Sequence, residues 1–214
     1  MAVNNLFAAG GVVMWPLLGF SVLSLTLILE RISFWFRVLT RQDKLVRDVL
    51  VVYRRNPDAV RKQLEQNLDL PVSRIFLAAL SLDRPNLDEF RLALESAAQA
   101  ELPLLRRFNT VFDTIIGISP LLGLLGTVLG LIQTFASLRL GDIGGTSTGN
   151  VTAGISEALV STASGLVVAI FTLLFANTFR GLYQRQRALI LEYGGQLELL
   201  YRRRFGGQGD KPIK

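Results

Sequence analysis

Glu157 stands at the mouth of an uncharged run, Ala158 to Phe179, in which Ser161, Thr162, Ser164 and Thr172 supply hydroxyls. A second uncharged run, Thr114 to Leu138, carries Ser119, Thr127 and Thr134 among Gly123, Gly126 and Gly130. A carboxylate at bilayer depth costs several kcal/mol at the centre, so such groups turn toward a bundle interior or an aqueous cavity. Charge at the start of a helix also suits the helix dipole, which leaves Glu157 a second, purely local reading. The chain has no cysteine and no histidine. Disulfides, thiolate chemistry and imidazole shuttles are therefore excluded, and any protons handled here pass through carboxylates, hydroxyls and water.

The spacing of the small residues has its own meaning. Ser119, Gly123, Gly126, Thr127, Gly130 and Thr134 recur every three or four residues and predict one shared helix face, with Gly126 to Gly130 forming a GxxxG. Ser161, Gly165 and Ala169 predict a matching row on the last run. Close helix packing accounts for both rows. A threonine inside a membrane can also satisfy itself by bonding one turn back, so Thr127 and Thr162 are open to either a structural or a path-lining role.

These residues need elements to hold them. The uncharged runs Leu6 to Leu29, Thr114 to Leu138 and Ala158 to Phe179 each exceed the roughly 20 residues that a bilayer demands, which predicts an all-α integral membrane protein with three transmembrane helices. The first run lacks leading Lys or Arg and is followed by Glu30-Arg31, unlike a cleaved signal peptide. Residues 30–113 hold 14 Lys/Arg and 12 Asp/Glu, residues 180–214 hold 8 and 3, and residues 139–157 hold 1 and 2. The positive-inside rule then puts residues 1–5 and the link 139–157 outside, and residues 30–113 and 180–214 in the cytoplasm, with spans at 6–29, 114–138 and 158–179. Topology thus explains the net charge of +6 without nucleic acid.

Prolines at 57, 71 and 85 predict short cytoplasmic helices, and Asn86 with Glu89 forms a capping-box signature. From Leu87 the helical spacing predicts one long helix to about Leu138, kinked at Pro103. The third span predicts a similar extension to about Arg204, with Gly194-Gly195 as a weak point and a flexible tail beyond. Trp35 and Phe34 are expected at the membrane interface. Glu95, Glu101 and Arg106-Arg107 read as solvated or flanking charges. Neither a metal-ligand spacing, a nucleotide loop nor a nucleophile motif occurs, so the expectation is a non-enzyme without metal or cofactor.

The run Ile118-Ser119-Pro120-Leu121-Leu122-Gly123-Leu124-Leu125-Gly126-Thr127-Val128-Leu129-Gly130, followed by Gly154-Ile155-Ser156-Glu157-Ala158-Leu159-Val160-Ser161-Thr162-Ala163-Ser164-Gly165-Leu166, resembles the MotA/TolQ/ExbB proton-channel family, most closely its ExbB/TolQ branch. The resemblance implies that Thr127 and Thr162 line a pore, that Glu157 belongs to the proton pathway, and that Asn177 lies near the cytoplasmic end of the last span. It implies a pentameric helical ring in the inner membrane around ExbD/TolR-type single-span partners, whose transmembrane Asp carries the proton. A TonB- or TolA-type protein would receive the work. Phe171 departs from the family, which often has proline there. A non-conducting membrane scaffold would use the same small-residue faces, and three spans instead of four speak against a flagellar stator.

Overall fold

The computed structural model describes residues 11–138 and 147–205, and every regular element among them is helical. The helices are α1 (Met14–Arg55), α2 (Pro57–Glu65), α3 (Pro71–Leu80), α4 (Leu87–Leu105), α5 (Asn109–Leu138) and α6 (Ser147–Phe205). Three stretches are long and apolar enough to cross a membrane, within Met14–Arg55, Leu87–Ala136 and Gly154–Phe205. The expected outside N-terminus, residues 139–146 of the link at 139–157 and the tail from Gly206 lie outside the described residues. Helix α6 begins ten residues before Glu157, so Glu157 sits within a helix rather than at its first turn.

The chain divides into two compact units. The first contains the N-terminal part of α1, all of α5 and α6 up to Phe179. Between α5 and α6 its internal contacts are made by small side chains, while Leu17, Ile28, Phe112 and Ile115 are buried elsewhere in it. Ser119 and Ser161 are fully buried, as is Thr172, whereas Leu121, Leu159, Val167 and Ile170 are exposed. That inversion of the water-soluble pattern suits a segment surrounded by hydrocarbon, where apolar side chains gain nothing by turning inward. Ser24 of α1 and Thr172 of α6 share a buried hydrogen bond of 2.7 Å.

The second unit is built like a soluble helical domain. It contains α1 from Arg31, helices α2 to α4, and α6 from Arg180. Val49, Leu64, Ile75, Phe76, Phe90 and Leu197 are fully or almost fully buried. Pro71 begins α3, where its missing N–H costs nothing. Asn86 caps α4 through a complete capping box with Glu89, as expected from the spacing. Gln42 and Gln186 hydrogen-bond at 2.6 Å inside this unit, and Tyr193 donates to Asp43 at 2.8 Å.

Four expectations are corrected here. The helix expected to run from Leu87 to Leu138 is two helices, ending at Leu105 and resuming at Asn109, with Phe108 between them at φ 70°. Pro103 near the end of α4 removes one backbone donor and weakens the last turn. Arg31, 2% exposed, then donates to the carbonyls of Leu104 and Arg107 at 2.7–3.0 Å and to Leu105 at 3.5 Å. Buried carbonyls at a helix end require such partners, and a guanidinium supplies several donors at once.

Trp35 is buried rather than interfacial, because it falls on the inward row Arg31, Trp35, Val38, Gln42, Val49, Tyr53 of α1. Glu101 is also buried, at 8% exposure, and forms a two-pronged pair with Arg74 at 2.5 and 2.7 Å. This carboxylate favours the cationic form of Arg74 still further. Finally, α6 continues unbroken through Gly194-Gly195. The Tyr193–Asp43 bond before the pair, and the Tyr201 hydroxyl donating to the Pro85 carbonyl at 2.6 Å after it, tie that stretch to α1 and to the loop before α4.

Candidate functional site

The small residues of α5 and α6 form one seam. A methyl group added at Gly165 would overlap the Ser119 carbonyl, and one at Gly126 would overlap the Ser161 side chain. At Gly123 it would lie 3.0 Å from the Ser161 carbonyl and the Thr162 Cα, and at Gly130 it would lie 3.0 Å from the Gly154 carbonyl. Residue numbers rise along one helix as they fall along the other, so the pair is antiparallel. Each glycine inside a helix costs about 1 kcal/mol relative to alanine. Backbone approach is what repays that loss, and it needs glycine at these positions.

Helix geometry now sorts the polar residues. Successive residues are turned by about 100°, given 3.6 per turn. Thr127 follows the seam residue Gly126, Thr162 follows Ser161, and Asn177 follows the buried Ala176. In an antiparallel pair, one step forward along either helix rotates toward the same side. The three residues therefore share one flank of the α5–α6 pair. Glu157 precedes the buried Ala158, so it turns to the opposite flank, and its carboxylate lies against Gly11. That second flank is where α1 packs, since Met14, Leu17 and Ser21 line a hollow there with Val160, Ser164 and Val168.

The flank away from α1 is apolar apart from two threonines in its middle and Asn177 toward its Phe179 end. Leu159, Leu166 and Ile170 are exposed along α6, and Leu124 and Leu131 along α5. Thr127 and Thr162 are half-buried and Asn177 is exposed. The Thr127 hydroxyl donates to the Leu124 carbonyl at 2.6 Å, and the Thr162 hydroxyl donates across the seam to the Gly123 carbonyl at 3.1 Å. With their protons so committed, both oxygens present lone pairs. They can accept from water or from a protonated carboxyl group.

Ser119 and Ser161 lie within the seam as expected, together with Gly123, Gly126, Gly130 and Gly165. Thr127 does not share their face, being one step around the helix. Two contributors escaped the sequence reading. Gly154 packs against Thr134 and Gly130, and Ser24 pairs with Thr172. The spacing Gly154, Ala158, Ser161, Gly165, Ala169, Thr172, Ala176 was the available signal, because one unbroken three-four rhythm runs through it. No cluster able to hold a metal occurs among the described residues.

Comparison with known proteins decides the family. Residues 67–191 match the MotA/TolQ/ExbB proton channel family. This chain belongs to that family. An ExbB-like biopolymer transport protein from Synechocystis, numbered 3, is 62% identical over 195 residues, covering 91% of this chain and 93% of its own. A second from the same organism, ExbB-like 1, is 44% identical over 92% of this chain and 78% of its own. The biopolymer transport protein ExbB of Aquifex aeolicus is 36% identical over 46% of this chain and 62% of its own. The relatives place the chain on the ExbB branch of a family of membrane proton channels, and the matched region includes the whole α5–α6 seam.

Proposed function

We propose that this chain is the channel subunit of a membrane motor that converts proton motive force into movement of a partner protein. Copies of the chain surround an ExbD/TolR-type single-span partner whose transmembrane Asp takes and releases the proton. The work passes to a TonB- or TolA-type protein for outer-membrane transport or envelope maintenance. The assembly is a pentameric ring in the inner membrane, with the second unit in the cytoplasm and the N-terminus outside. The single observation that carries the reading is the shared flank of Thr127, Thr162 and Asn177, turned away from α1.

The chemistry follows from that flank. A partner carboxylate facing Leu159 or Leu166 is strongly disfavoured as an anion and so is held protonated. At the level of the threonines the protonated group donates to a hydroxyl lone pair. Releasing its proton requires the hydroxyl to leave the Gly123 or Leu124 carbonyl and turn its own hydrogen toward the new charge. Charged and neutral partners therefore favour different levels of the same wall, which ties proton transfer to displacement. Each charge that crosses supplies about 2.3 kcal/mol per 100 mV. Glu157, on the α1 flank, serves as a carboxylate on the proton's way to or from the wall.

Proteoliposomes containing the chain and an ExbD/TolR-type partner test this. Thr127→Val combined with Thr162→Val keeps the shape and removes the hydroxyls, so assembly persists while proton uptake falls by about tenfold or more. Full uptake in that double variant overturns the reading. A non-conducting scaffold would instead retain its partners and show no proton movement even in the unaltered complex. Glu157→Gln is expected to slow uptake less than the threonine pair does.

A further inference from the structure

At the far end of the second unit, α1 and α6 finish side by side, and their last turns carry Arg54-Arg55 and Arg202-Arg203-Arg204. Two helix C-termini present about half a negative charge each, so roughly one positive charge would answer both. Five guanidinium groups stand there. Arg202 pairs with Glu198, and Arg204 donates to the Tyr53 carbonyl at 3.3 Å. Arg54, Arg55 and Arg203 make no ion pair or hydrogen bond among the described residues. Their charge exceeds what the fold uses.

The surface is concave at that place. One hollow of about 330 Å³ is lined by Tyr53, Arg54, Leu200, Arg203 and Arg204. A second, of about 510 Å³, shares Tyr53 and is walled by Arg84, Phe90, Tyr201 and Phe205, among others. Phe90 and Tyr201 stack at 4.0 Å with their planes 6° apart, and Phe205 packs against Tyr201 at 4.7 Å while remaining 44% exposed. Burial, with Tyr201 adding to it, pushes the Tyr53 phenol up to about 12, so it adds no negative charge near neutral pH. Arg84 stands on the rim in the left-handed region, at φ 48°, and makes no hydrogen bond or ion pair among the described residues. The Tyr201–Pro85 bond and the capping box of α4, both directly after Arg84, hold the loop in this costly conformation.

We propose that these two neighbouring hollows, which share Tyr53 as a wall, bind a phosphorylated, ring-bearing small molecule of the nucleotide class, with phosphates on Arg54, Arg203 and Arg84 and the ring against Phe205. Unused arginines and an exposed aromatic wall are the two things such a ligand needs, and the volume is that of a small-molecule site. A lipid headgroup would meet the arginines equally well. However, about 35 Å of helix separates Arg180, where charge resumes after the last apolar run, from Arg203. On the topology proposed above the ligand comes from the cytoplasm; binding itself does not depend on that proposal and is read without partner or proton flux.

The test is calorimetric titration of the full chain in zwitterionic nanodiscs with ATP, tripolyphosphate, adenosine and a poly-glutamate peptide. ATP is expected to bind, and Arg54→Glu with Arg203→Glu to weaken it by about tenfold or more. Phe205→Ala is expected to weaken ATP by roughly fivefold and leave tripolyphosphate unchanged. Unaltered melting of these surface variants shows that the fold is kept. No ATP binding, or ATP affinity that survives the charge reversal, overturns the proposal. So does tripolyphosphate or the peptide binding as tightly as ATP, which would mark an anion sink or a protein-docking face. Loss of ATP binding in anionic nanodiscs alone would assign the arginines to headgroups and overturn it equally.

Discussion

The α5–α6 seam of the first unit is held by what its side chains lack, and the second unit by what its side chains contain. In the first, Gly123, Gly126 and Gly165 let backbones touch, and large residues such as Leu121 and Ile170 point away. In the second, Phe76, Phe90 and Leu64 fill the interior, and the Arg74–Glu101 pair is enclosed among them. The same chain thus uses opposite packing rules, because hydrocarbon offers no reward for hiding a leucine and water does.

The comparison breaks most decisively at Gly123. Gly123→Leu pushes a branched side chain into the Ser161 carbonyl and the Thr162 backbone, and the expected result is loss of the assembled protein from membranes, read by native gel electrophoresis. The mirror change in the second unit is a removal of bulk. Phe76→Ala should cost about 3–5 kcal/mol, measured by denaturant unfolding, while the same large-to-small change at exposed Leu121 leaves stability nearly untouched.

The ion pair sharpens the contrast further. Arg74→Ala strands a carboxylate at 8% exposure and should cost about 2–3 kcal/mol, discounted because Arg74 is partly solvated. Arg74→Met together with Glu101→Leu should recover most of that loss, which thermal melting would reveal. Next comes Asn86→Ala, which removes the capping-box acceptor and is expected to cost about 1 kcal/mol in the same assay. The smallest effect is expected from Ser24→Ala. Its buried bond to Thr172 should be worth only about 0.6 kcal/mol, since hydroxyls within a membrane find other acceptors easily.

Uncharged length and small-residue rhythm made the spans and most of the seam legible in the sequence. The capping box at Asn86 was legible for the same reason, being a local signal with a local cause. Arg31 was not. It follows the first apolar run as any inside-flanking arginine would, and its acceptors lie 73 to 76 residues away. Glu101 hid similarly, because its partner Arg74 belongs to another helix. For the candidate site, residue types pointed to Thr127, Thr162 and Glu157, but spacing within one helix could not reveal which flank each would occupy. That required knowing that α5 and α6 are antiparallel and where α1 lies. The excess arginines at the ends of α1 and α6 were visible as charge and were absorbed into topology; only their shared hollow distinguishes them.

The one-step offset between seam and flank limits how this span can change length. Thr162 and Asn177 keep headings within about 60° of each other because fifteen residues separate them, a little over four turns. Inserting a single residue between them would swing Asn177 by about 100° and carry the lower half of the seam with it. Seven inserted residues would restore both to within about 20°. Drift in this helix is thus quantised: it can lengthen by whole turns, and single-codon insertions or deletions should be purged wherever the protein is needed.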